Sequence, residues 1–283
     1  MDSSVDPLQA CGEYAKDTAN VEQCAPNFLA AMLEVYKPDD PLYSSGGSFG
    51  QLYLDQWGTR KMRLEHFWNG TRGAGMVVAV VDTGIDMNHP DLADNIWFNT
   101  NESLGGGDGD GNGYAQDFHG WNFVDGNNDP TDRNGHGTHV SGILGAAGNN
   151  GIGMIGVAPE VAIMPVRALD EKGNGTVSNL AQAIIYAAAN GADVINNSWG
   201  CKTSCPKNPL VEDAVRFAKA LGAEVVFAAG NSGAAIDVPA SFRRLAAGSG
   251  PMSGCRCPTP CAKNEGSGQF TVFYWPAVLV AGH

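Results

Sequence analysis

The chain has 283 residues, with 17 Lys and Arg against 30 Asp and Glu, for a formal charge of −13. That balance, without any Lys/Arg block, sets aside a nucleic-acid backbone as partner, and no apolar run approaches the roughly 18 residues that a membrane-spanning helix needs. At 43% apolar the sequence supports one large buried core or a core plus a small appendage, while its excess of carboxylates suits a cation, calcium first.

In chain order, residues 1–55 read as an N-terminal extension or residual pro-segment, with a helix around 27–35 and then the turn-rich phrase PDDPLYSSGGSFG. A different pattern begins at residue 76. The run MVVAVV at 76–81 is continuous, apolar and β-branched, as a strand buried on both faces requires. Runs at 161–166, 194–196 and 224–228 repeat it, and helical patterns at 139–147, 177–189 and 211–221 lie between them. Strands alternating with helices predict an α/β fold over 56–283, a parallel central sheet with helices on both faces, whose chemistry gathers at the carboxyl ends of the strands. Two stretches break the rhythm. Residues 99–134 are dense in Gly, Asn and Asp, and 234–270 read as an inserted surface loop.

Seven cysteines are too few for a disulfide scaffold at this length. Cys201 and Cys205 are spaced to close a small loop. Cys255, Cys257 and Cys261 crowd the inserted stretch, where zinc would need a fourth ligand that the spacing does not supply. The first residues show no basic start followed by an apolar stretch, so no secretory signal is visible and the compartment stays open. Acceptor triplets for N-glycosylation begin at Asn69, Asn101, Asn174 and Asn196.

Two residues stand out for chemistry. Asp82 ends the first apolar run, where Thr83-Gly84 turns the chain at the sheet's carboxyl edge. His136 sits in NGHGTHVSG between Gly135 and Gly137, which permit close backbone approach. Singly, Asp82 reads as a turn residue and His136 as a surface histidine. Together they form an orienting carboxylate and a general base at the mouth of one sheet.

These phrases resemble the subtilisin-like serine proteases. VAVVDTGIDMNHPDL is similar to the family's aspartate motif, NGHGTHVSGILGA to its histidine motif, and VVFAAGNSG to the segment that carries its oxyanion-hole asparagine. NNGIGMIGVAP, DVINNSWG, and QWG with Trp68 downstream also match in family order, and WPAVLVAG at 275–282 resembles a later family strand. The resemblance implies acyl transfer to a serine, with His136 exchanging the proton, Asp82 holding the imidazole, and Asn231 donating to the oxyanion. It implies a peptide or protein substrate laid along Ser198, Trp199 and Gly200 on one side and Ala228, Ala229 and Gly230 on the other, with small residues leaving the pocket open to sizeable apolar side chains. Trp199 also reads as plain core.

The resemblance further implies a tight calcium loop in which Asp91 and Asn150 act with the carbonyls of Gly148, Ile152 and Met154. A second calcium candidate is Asp108, Asp110 and Asn112, spaced like the start of an EF-hand loop, although His119 stands where that loop has its bidentate Glu. The working form is expected to be a monomer without membrane contact.

The family's nucleophile lies in a Gly-Thr-Ser-Met-Ala phrase at the head of a buried helix, and no such phrase occurs in the 283 residues. Two readings stay open: an endopeptidase whose serine lies beyond this sequence, or a non-catalytic relative that binds peptide or calcium. Gly46 to Gly50 fits G-x-S-x-G around Ser48, but a turn precedes it where a strand is required. Gly151 to Gly156 fits G-x-G-x-x-G, but it follows a helix and an Asn pair, so a dinucleotide site is set aside.

Overall fold

A computed structural model describes residues 6–19, 23–24, 36–103, 105–200 and 208–228. The chain divides into two compact units, 1–35 and 36–283. In the first, helix α1 (Pro7–Tyr14) carries Cys11, which forms a disulfide with Cys24. The pairing expected at Cys201 and Cys205, the helix at 27–35, the Cys-rich stretch at 234–270 and the strand at 275–282 lie outside the described residues.

The second unit opens with three short helices, α2 (Pro41–Ser44), α3 (Trp57–Met62) and α4 (Leu64–Trp68). Residues 36–55, expected with the extension, are bonded into this unit. Tyr43 and Trp68 pack with Leu64 and Ile155 in a satellite core, and Leu42 donates its amide to the Gly153 carbonyl at 2.9 Å. The apolar spacing there is too sparse to show that these residues seal the edge of a neighbouring core. Trp68 is buried, and its indole N–H donates to the Val157 carbonyl at 2.9 Å.

Strand β1 (Val77–Asp82) follows, then the two-residue β2 (Trp121–Asn122), α5 (His136–Gly145), β3 (Ala162–Arg167), α6 (Val177–Ala189), β4 (Val194–Asn197), α7 (Pro209–Ala220) and β5 (Glu224–Phe227). All pairings in the sheet are parallel, in the order β2-β3-β1-β4-β5. The expected α/β architecture is present. Successive side chains of β1 alternate between two cores, as the period of a strand dictates. Ala79 and Val81 join Met164, Ile195 and Val225 beneath α6 and α7, through Ile184, Ala187, Val211 and Val215. Val78 and Val80 join Ile163 on the opposite face beneath α5, through Val140 and Leu144.

Helix ends follow local chemistry. The Thr176 hydroxyl caps α6 by accepting from the Asn179 amide at 3.2 Å, and Asn208 caps α7 ahead of Pro209. Helix α5 begins at His136, three residues before the apolar pattern suggests. Strand β2 was not read from the sequence, since two residues offer no period. Among the described residues, no helix is long and apolar enough to cross a membrane.

Candidate active site

The strand order places β1 between β3, which follows it, and β4, which the chain reaches by crossing back over β1. This reversal of direction opens a crevice at the carboxyl end of β1, and Asp82 is the last residue of that strand. Because every strand runs the same way, the segments after β4 and β5 leave from the same edge.

Across the crevice, the first turn of α5 brings in His136. Gly135 caps the helix with φ 100°, a conformation costly for any residue with a Cβ. Gly137 is packed so closely that an added Cβ would lie 2.1 Å from the Gly84 carbonyl oxygen and 3.2 Å from the Asp82 Cβ. The amides left unpaired at the start of a helix all find acceptors here. His136 N–H donates to Asn134 Oδ1 at 3.2 Å, Gly137 N–H to the Thr83 hydroxyl at 3.0 Å, and Thr138 N–H to Asp132 Oδ2 at 3.0 Å.

The result is a hydrogen bond of 2.7 Å between His136 Nδ1 and Asp82 Oδ1. Asp82 is fully buried, whereas the imidazole keeps 20% of its surface. Asp82 Oδ1 also accepts the Thr83 amide at 2.7 Å, while Oδ2 is buried with no hydrogen-bond donor. The bond to Asp82 raises the His136 pKa above its ordinary value of 6.5; burial opposes this, and the charges of Asp82 and Asp132 add to it. With Nδ1 committed to the carboxylate, proton exchange with a reactant runs through Nε2.

At the same edge, Ser198, Trp199 and Gly200 leave β4, and Ala228 leaves β5 with its amide bonded to the Asn197 carbonyl at 3.0 Å. Ser198 Oγ accepts from Asn196 Nδ2 at 2.9 Å. Trp199 is half-buried, edge-on to Phe227 at 5.3 Å, with its indole nitrogen buried and unpartnered. Ala229, Gly230 and Asn231 lie outside the described residues.

The first calcium candidate is drawn together by side chains. Asp91 Oδ1 accepts from Asn150 Nδ2 at 2.8 Å and Oδ2 from the Met154 amide at 2.9 Å, which folds 148–154, with Gly148 and Ile152, around the carboxylate. Asp40, passed over in the sequence as part of a Pro-Asp-Asp-Pro turn, is 1% exposed. Its Oδ2 accepts the Asn149 amide at 3.0 Å, and its Oδ1 is buried without a partner. An orphaned carboxylate oxygen beside a second buried acid fits a hard cation.

The acidic loop behaves differently. Carboxylate oxygens of Glu102, Asp108 and Asp110 lie within 4.8 Å of one another. Asn112, expected as a third ligand, turns its amide nitrogen toward Asp110 Oδ2 and Asp117 Oδ2 and gives its oxygen to the Tyr114 amide. Glu102 takes the third place; six positions before Asp108, it falls outside the one-three-five spacing. Asp117 is buried and accepts from the Tyr186 hydroxyl at 2.5 Å and Asn99 Nδ2 at 2.8 Å, so it ties the loop to α6. Burial and this bond push the Tyr186 pKa far up. His119 contacts the Trp97 carbonyl at 3.0 Å.

Sequence reasoning assigned Thr83 only a turning role and left Asp132 and Asn134 unmarked. Their signal was present, an acid and an amide just ahead of a helix start, but it was submerged in a stretch full of such residues.

Comparison with known proteins follows the same motifs. A model described as the subtilase family matches residues 73–252. The chain is 40% identical over 229 residues to a thermophilic serine proteinase of Bacillus sp. (strain AK1), covering 80% of this chain and 48% of that protein. It is 38% identical over 198 residues to thermitase of Thermoactinomyces vulgaris, covering 70% of this chain and 59% of thermitase. The chain thus spans about half the length of these relatives. Among solved structures it is similar to a cold adapted subtilisin-like serine proteinase, at 30% identity and TM-score 0.44, covering 58% of this chain and 50% of that one.

Proposed function

The chain belongs to the subtilase family, and from that premise we propose that it carries the acid–base part of a serine endopeptidase site. The observation that carries this reading is the 2.7 Å bond between His136 and the buried Asp82 at the carboxyl end of the central strand. In the proposed reaction, His136 Nε2 takes the proton of a serine hydroxyl as its oxygen attacks a peptide carbonyl. His136 then returns that proton to the leaving amine. Asp82 keeps the imidazole in the tautomer with its proton on Nδ1 and stabilises the cation that forms. Asn231 donates its side-chain amide to the tetrahedral oxyanion, a contact worth about 2.7 to 4 kcal/mol in barrier height. Ser198 to Gly200 and Ala228 to Gly230 hold an extended peptide through main-chain hydrogen bonds.

The serine itself is assigned to sequence outside residues 1–283, since no Gly-Thr-Ser-Met-Ala phrase stands within them. On this reading the 283 residues alone bind peptide without turning it over, because members of such a triad act as a unit. Asn150, expected as a ligand, gives its side-chain oxygen to the Ile152 amide at 3.1 Å. Calcium is proposed at Asp40 and Asp91 with the carbonyls of Gly148, Ile152 and Met154, and at Glu102, Asp108 and Asp110. Bound there, it supplies charge neutralisation that clamps separate segments together.

The test uses a fluorophosphonate probe and a chromogenic peptide on two proteins, the 283-residue chain and a version extended through a Gly-Thr-Ser segment. Labelling and turnover by the extended protein alone support the proposal. Peptide cleavage by the extended protein that survives His136→Ala overturns it. Peptide binding by both proteins, with labelling of neither, favours the non-catalytic reading.

A further inference from the structure

We propose that Asp132 is a positioning residue for His136, its carboxylate locking the turn after Asp82 to the first turn of the helix that carries the imidazole. The inference rests on the reading of His136 as the base. Asp132 receives five hydrogen bonds from three directions. Its Oδ1 accepts from the Thr83 hydroxyl at 2.9 Å, the Asn134 amide at 2.9 Å and the Gly135 amide at 3.0 Å. Its Oδ2 accepts from the Thr138 amide at 3.0 Å and the Thr138 hydroxyl at 2.6 Å.

Those donors close two rings across the crevice. The Thr83 hydroxyl that donates to Asp132 also accepts the Gly137 amide at 3.0 Å, so the residue after Asp82 grips the residue after His136. The Thr138 hydroxyl that donates to Asp132 accepts the Asp86 amide at 3.0 Å, which anchors the far end of the same turn. Rotation of α5 relative to β1 therefore breaks hydrogen bonds on both sides of one carboxylate, and the distance from Nδ1 to Asp82 is held by a cage that does not involve the imidazole. A charged acceptor suits that task, since hydrogen bonds to an ionised oxygen are roughly twice as strong as neutral ones.

The cage also acts through space. Asp132 adds its negative charge to that of Asp82 in favouring the protonated imidazole. Its own pKa is set by burial, which raises it, and by the bonds from Thr138, Gly135 and Asn134, which outweigh burial and hold it below the carboxylate range. Arg133, next in sequence, is engaged by Asp129 at 3.3 Å and Asp125 at 4.0 Å. Asp86, His89, His139 and Arg133 line the cleft into which Asp132 faces.

The test needs no turnover. In the 283-residue chain with 15N-labelled histidine, the His136 titration midpoint and its Nδ1 proton resonance are recorded by NMR for the parent, Asp132→Asn, Thr138→Val and Asp86→Asn. Asp132→Asn is expected to shift the His136 midpoint downward and to weaken or broaden the Nδ1 proton signal. Thr138→Val keeps the charge but removes one bond of the cage, so it should disturb the Nδ1 proton while moving the midpoint less. It also serves if Asp132→Asn does not fold. Asp86→Asn should move the midpoint less than Asp132→Asn. A purely structural role would lower the melting temperature of Asp132→Asn and leave both His136 signals unchanged, and that result overturns the proposal. Should the extended protein fail to cleave peptides while the NMR shifts appear, the protease reading falls and the positioning role stands.

Discussion

Asp82 and His136 are 54 residues apart in sequence and joined by a hydrogen bond of 2.7 Å. One ends a strand and the other begins a helix on the opposite side of the crevice, so the bond reports how accurately the sheet and α5 are docked. Removing either group from a version of the protein that includes the serine should lower kcat/KM, by roughly 10⁴-fold for Asp82→Asn and on the order of 10⁶-fold for His136→Ala. Steady-state hydrolysis of a chromogenic peptide measures both.

The bond predicts a pH signature of stability. The pKa of His136 is raised in the folded protein by Asp82. A raised folded-state pKa stabilises the protein fully at pH values below the unfolded value, near 6.5, and the contribution is lost as pH rises through the folded-state value. Urea denaturation of the parent and His136→Gln across that window should show stabilities that differ at low pH and converge at high pH. Activity has the opposite sense, since the base must be unprotonated, and should rise through the same folded-state value.

Calcium is expected to stabilise the fold by about 2.7 kcal/mol at a free concentration one hundred times its dissociation constant. A chelator should therefore lower the melting temperature. Asp40→Asn should remove a larger part of the calcium response than Asp110→Asn, because Asp40 is buried beside Asp91 while Asp110 is exposed. Scanning calorimetry with and without calcium decides this, and an unchanged melting temperature in both conditions for the parent would sink the calcium assignment.

Gly137→Ala should cost roughly 1 to 3 kcal/mol and displace His136. The added Cβ would sit 2.1 Å from the Gly84 carbonyl oxygen, a backbone atom that cannot yield cheaply. Chemical denaturation together with the Nδ1 proton resonance tests both halves of the statement.

Tyr186→Phe should destabilise by about 1 to 3 kcal/mol, since it takes from the buried Asp117 the hydroxyl bonded to it at 2.5 Å. The loss should appear as faster amide exchange through residues 105–117, which Asp117 ties to α6.

The amino-acid order by itself determined the layered α/β class, because a strand covered on both faces must be apolar along its buried length, and β1 is so from Val77 to Val81, up to the carboxylate that ends it. It also marked Asp82 and His136, which are ordinary turn and surface residues singly and informative as a pair. The spacing could not show that Asp40 is bonded to Asn149 in the loop that folds around Asp91, nor that Glu102 rather than Asn112 joins Asp108 and Asp110. Oxygen ligands carry no periodicity, and their partners come from distant loops. The tertiary structure alone decided that helix α5 starts at the histidine and that Asp132 anchors it. A carboxylate's role depends on which donors the fold brings within 3 Å of it, and in a stretch crowded with Asp, Asn and Gly every residue has the same local signal.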